Sequence, residues 1–140
     1  MNLPYNIEKI LNGKIVNDEN VVLENDNFIV LEDKKHTNES YHYTAWIKKD
    51  IRSLIEINKS IIDQIYEIEY KLNISNKISK DGLIFIHFPP SIWRLHVHFV
   101  QHNHKFLAEA YEIHYFNDII NNIKINPNYY VENVIIKAKL

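Results

Sequence analysis

Arg94-Leu95-His96-Val97-His98-Phe99-Val100 is the stretch on which the reading of this chain turns. Polar and apolar residues alternate along it, which is the period of a β-strand and not of a helix. As a strand it sends Arg94, His96 and His98 to one face and Leu95, Val97 and Phe99 to the other. One face is therefore core. The other carries three cationic or titratable groups, which are costly to bury without partners. That face must open to a cleft or be lined by hydrogen-bonding groups. Taken alone, the residues admit three readings. A histidine held in one tautomer can attack phosphorus while neighbouring donors hold the phosphoryl oxygens. Residues i and i+2 of a strand can also share a zinc ion with a third ligand from elsewhere, and His102 and His104 repeat the spacing downstream. The third reading is a pair of hydrogen-bonded structural histidines. A tripeptide is too short to choose among them.

Working outward from that strand, residues 83–88 form an apolar strand that follows the Asp81-Gly82 turn and stops at Pro89-Pro90. Upstream, Val21 to Glu24 and Phe28 to Leu31 flank Asn25-Asp26-Asn27 as a hairpin, and Tyr41 to Lys48 is a third, aromatic strand. Ile61, Ile65, Ile68 and Leu72 recur at helical spacing, which predicts a helix over 58–73. Ile113, Phe116, Ile119, Ile120 and Ile123 predict a second helix over 109–124, and residues 130–138 read as a last strand. A short helix is expected over 5–12, after Pro4. Hairpins mixed with isolated helices indicate an α+β fold. The expected sheet is mainly antiparallel with five to six strands, accompanied by two main helices and a short N-terminal one.

The chain has 140 residues with no linker-like stretch and no internal repeat, so a single domain over 1–140 is expected. At 46% hydrophobic and 24% charged residues it has the balance of a folded domain. A net charge of −2 argues against binding long nucleic acid or an anionic membrane through bulk charge, so a nucleotide site must be local and shaped. The absence of cysteine removes thiolate catalysis, thiolate zinc sites and disulfides. No signal-peptide pattern or membrane-length apolar run is present, so a cytoplasmic location is expected, with the nucleus as the alternative.

The surroundings of the strand extend the motif. His87-Phe88-Pro89-Pro90-Ser91-Ile92-Trp93 leads directly into Arg94-Leu95-His96-Val97-His98-Phe99. This resembles the signature of the scavenger mRNA decapping enzymes, in which His-x-x-Pro-Ser leads into His-Leu-His-Val-His-Phe. Other segments fall in the same order. Glu24-Asn25, the run from Phe28 to Lys35, Ile51-Arg52-Ser53-Leu54, and Asn126-Pro127 through Leu140 all resemble that family. The similarity thus runs from about residue 5 to the end.

The resemblance implies a histidine-triad fold that pairs into a homodimer, and hydrolysis of the 5′-5′ polyphosphate bridge of a cap dinucleotide or short capped RNA. His96 matches the nucleophile that carries a transient phosphohistidine, and His98 the triad histidine that orients the reacting phosphate. His87 and Ser91 match phosphate-binding positions, and Asp33 and Lys35 match the pair that holds the nucleotide. Neither a metal nor another cofactor is implied. Three departures stand out. Arg94 replaces the first triad histidine, which braces the site through a backbone hydrogen bond; the arginine fork suits a phosphate. The family's cap-stacking tryptophan has no match other than Tyr5, while Lys34 and Glu32 replace an apolar residue and a proline beside Asp33. A cationic methylated guanine calls for aromatic stacking and an acid, and Glu32 offers the acid. The chain is also expected to hold the catalytic domain without the lid domain that precedes it in the full-length enzymes.

Overall fold

The computed structural model describes residues 20–32, 41–90, 92–101 and 112–133. Among the described residues, six strands form one sheet: β1 (Asn20–Glu24), β2 (Phe28–Glu32), β3 (His42–Ile47), β4 (Leu83–His87), β5 (His96–Val100) and β6 (Ile113–Tyr115). Their order across the sheet is β1-β2-β3-β5-β4-β6, and every neighbouring pair is antiparallel. The helices are α1 (Lys59–Ile74), α2 (Phe116–Ile125) and α3 (Tyr129–Asn133), with a 3-10 turn at Leu54–Glu56. The architecture is α+β, as the patterning predicts. The short helix expected over 5–12 lies outside the described residues.

Local chemistry explains most of these elements. The β1–β2 turn closes because the Asn25 side-chain oxygen accepts from the backbone N–H groups of Asn27 and Phe28, at 2.8 and 3.0 Å. Helix α1 starts at Asn58, whose side chain accepts from the Ile61 N–H at 3.1 Å. It ends where Asn76 adopts a left-handed φ of 57° and lets Lys77 N–H reach the Leu72 carbonyl at 2.9 Å. Between these caps, Ile61, Ile62, Ile65, Ile68 and Leu72 are buried, each contributing about 1.5–3 kcal/mol relative to exposure. At Gly82 any side chain would collide with the Tyr41 hydroxyl, 1.9 Å from where a Cβ would stand.

The two faces of the sheet differ. Phe28, Val30, Tyr43, Ala45, Ile86, Val97 and Phe99 point to one side, into the main core with α1 and α2. The opposite side holds a small apolar cluster of Ile29, Leu31 and Trp46, with Ile92 against it. His42, His87, His96 and His98 stand on that second side, whereas His114, opposite Ile86, faces the helices.

Three expectations need correction. Residues 113–115 form β6 and not helix; α2 begins only at Phe116. The outer edge of β4 needs partners for its backbone groups, and pairing Phe85 with Tyr115 and His87 with Ile113 supplies them. The last strand was expected to begin at Tyr130, but that residue lies in α3. The Asn126 side chain accepts from Asn128 N–H at 2.9 Å and turns the chain. Tyr130 is then buried, its hydroxyl accepting from Asn122 at 2.9 Å. Residues 134–138 of that expected strand lie outside the described residues. The central strand is also shorter than the stretch Arg94 to Val100, because Arg94 and Leu95 precede β5 in an irregular approach.

Candidate active site

Strand β5 carries His96 and His98 on the face away from the helices. Its neighbours bring the rest of the site by register. Trp46 of β3 lies opposite His96, Thr44 opposite His98, and Phe85 of β4 opposite His98 from the other side. The rings form a connected row. Trp46 stacks on His96 with centroids 4.2 Å apart and planes 26° apart. His96 meets His98 edge-on at 5.2 Å, and His98 lies 4.9 Å from His87 and 5.1 Å from Phe85.

His96 is the most constrained of these groups. It is only 8% exposed, and its Nδ1 lies 2.7 Å from the Arg94 carbonyl oxygen. A carbonyl only accepts, so Nδ1 carries the proton and Nε2 keeps its lone pair. Burial disfavours the cation and lowers the pKa of His96 to about 4; the Arg94 carbonyl opposes that shift and the nearby His87 adds to it. At neutral pH the ring is therefore neutral, with its nucleophilic nitrogen defined. Burial likewise lowers the pKa of His87, against the pull of Glu112.

Of the expected site residues, the fold brings His87, His96 and His98 together. Arg94 lies ahead of the strand. Its Nε donates to the Ile47 carbonyl at 3.3 Å, its Nη2 donates to the Lys48 carbonyl, and Nη1 is 3.9 Å from Asp50. The guanidinium thus ties the end of β3 to the residue whose carbonyl holds His96. Ser91, Asp33, Lys35 and Tyr5 lie outside the described residues, as do His102 and His104. Glu32 shares the helix side with Phe28 and Val30, paired with Tyr43 and accepting from Asn20 at 2.6 Å. It faces away from the histidines, so the acid expected there for a cationic base stands on the wrong side of the sheet. Among the described residues, no group of three His, Asp or Glu side chains is placed to hold a metal ion.

One residue escaped the sequence reading. His42 Nε2 lies 2.9 Å from His98 Nδ1, in a hydrogen bond that orients the His98 ring. Alternation along β3 already puts His42 on the face of Thr44 and Trp46. What was not visible is that this face adjoins His98, 56 positions away.

A sequence model of the family described as "Scavenger mRNA decapping enzyme C-term binding" matches residues 6–114. The chain belongs to that family. As a scavenger-decapping-type domain it also has the expected relatives in fold. A histidine triad protein from Clostridium difficile superposes with a TM-score of 0.55 at 23% identity, over 72% of this chain and 91% of that one. A HIT family hydrolase from Legionella pneumophila Philadelphia 1 superposes with a TM-score of 0.53 at 20% identity, over 71% and 92%. The search of curated proteins found no match. The family match spans the whole row of site strands from β2 to β5 and most of β6. Among the described residues, no helix is long and apolar enough to cross a membrane.

Proposed function

We propose that this scavenger-decapping-family domain is a hydrolase of the phosphoanhydride bridge in 5′-5′ linked nucleotides, acting through His96. The observation that carries the reading is the pairing of Nδ1 with the Arg94 carbonyl in a buried, neutral ring, which leaves Nε2 as the nucleophile. The Nε2 lone pair forms a bond to phosphorus as the bridging P–O bond breaks. The leaving oxygen departs with the bond pair and takes a proton from water. Water then attacks the same phosphorus, loses a proton to solvent, and returns the bond pair to Nε2. His98 and His87, lined up beyond His96, are the donors for the phosphoryl oxygens. Arg94 serves through the carbonyl it steadies and the cation it fixes beside the strand. Ser91 is proposed to bind phosphate, with Asp33 and Lys35 holding the nucleotide. The domain is proposed to work as a homodimer, which light scattering of the purified chain checks.

Labelled methylated cap dinucleotide, incubated with wild type and His96→Ala, tests this. Cleavage by wild type alone is expected; equal cleavage by both removes His96 from the mechanism. A second reading, a broader dinucleoside-polyphosphate hydrolase, is favoured by one observation: Glu32 faces away from the site, so it offers a cationic base no acid there. Diadenosine polyphosphate turned over as fast as the methylated cap would favour this broader reading. Binding of either compound without turnover would leave a nucleotide-binding module.

A further inference from the structure

The family resemblance singles out no role for Trp46, yet its indole stacks on the His96 ring with centroids 4.2 Å apart. Trp46 is 5% exposed and packs in one cluster with Ile29, Leu31 and Ile92, which restrains the indole. His98 meets the same imidazole edge-on, with planes 71° apart. Two independent restraints therefore meet on one imidazole. The Arg94 carbonyl selects which nitrogen faces it, since turning the ring over would set a C–H against that oxygen. A hydrogen bond at one atom leaves the ring free to tilt about it, and the indole face removes that freedom. We propose that Trp46 is a positioning residue for His96: it fixes the plane of the imidazole and favours the ring while it is positively charged.

The second half follows from the charge balance of the proposed reaction, on which this inference rests. His96 is neutral at rest. When Nε2 donates its pair to phosphorus while Nδ1 keeps its proton, the ring gains a positive charge until the N–P bond breaks. An aromatic face stabilises a cation set over it, and does so more strongly where water is excluded. The stacking contact is therefore stronger in the transition state than in the resting enzyme, which is the condition for raising kcat and not merely tightening binding.

Trp46→Leu and Trp46→Phe, assayed on both methylated cap dinucleotide and diadenosine polyphosphate, test this together with His96→Ala. For Trp46→Leu, kcat is expected to fall about tenfold with KM changed less than about twofold, while Trp46→Phe stays within about threefold of wild type. Nuclear magnetic resonance supplies a readout independent of turnover. In wild type the carbon-bound ring protons of His96 lie over the indole and shift upfield, and the shift is lost in Trp46→Leu. Unchanged kcat in a folded Trp46→Leu, or a rise in KM alone, overturns the inference while His96→Ala still tests the reaction. If Trp46→Leu fails to fold, wild type and Trp46→Phe decide by the ring shift, and its absence in wild type overturns the inference. Turnover of neither substrate by wild type sinks the functional reading, and the ring shift still decides whether Trp46 holds His96.

Discussion

Alternate residues of one strand, β5, meet two different fates. Val97 and Phe99 enter the main core, at 0% and 1% exposure, against side chains that are themselves apolar. His96, one position away, is almost as deeply buried, at 8%. On the helix side burial is the stabilising force. On the histidine side the same loss of water works against the cation. It is offset by stacked rings and by bonds to a carbonyl and to His42. The comparison teaches that depth alone does not separate a core from a site. What separates them is whether burial changes the chemistry of the buried group.

Substitutions that strike one face and spare the other test this contrast. The largest effect is expected from His96→Ala, which should lower turnover on the order of 10⁴-fold with a folded, cooperative protein remaining. Single-turnover assays check it. Phe99→Ala, on the opposite face, should cost about 3–5 kcal/mol of stability by denaturant melts. The molecules that stay folded should retain turnover per site. A large loss of kcat in folded Phe99→Ala would mean that the two faces are not separable.

The buried His96 also ties stability to pH. Its native pKa of about 4 lies below its ordinary value, so the unfolded chain binds the proton more readily. Its contribution is fully present above the unfolded value of about 6.5 and is lost as pH falls from there towards 4. Wild type should lose about 3 kcal/mol over that interval relative to His96→Asn, read from melts at several pH values. The acid limb of kcat/KM should fall near 4 for the same reason. The smallest effect of this series is expected at His42. His42→Ala should leave His96 intact but remove one restraint on the His98 ring, lowering kcat about 10- to 100-fold by misorientation. An unchanged kcat would make the His42 bond purely structural.

The residues that were legible and those that were not differ in range. Helix α1 could be read because its isoleucines and its Asn58 cap are local signals. The strands β2, β3 and β5 could be read because a period of two needs only a few residues. Strand β6 could not, because Ile113 fits the apolar stripe of the helix that follows it. Only the open edge of β4 makes it a strand. Tyr130 likewise reads as β-prone until its hydroxyl finds Asn122.

The sequence by itself determined the α+β class, the alternation that sets His96 and His98 against Val97 and Phe99, and the resemblance around them. Those rest on neighbours in the chain. Only the tertiary structure decided that Trp46 covers His96, that His42 turns His98, that Glu32 faces the other way, and that Arg94 ties down the end of β3. The first three depend on the register between strands distant in sequence, where a shift of one residue would send those side chains to the opposite face, and the tie of Arg94 depends on where the irregular approach to β5 meets the end of β3.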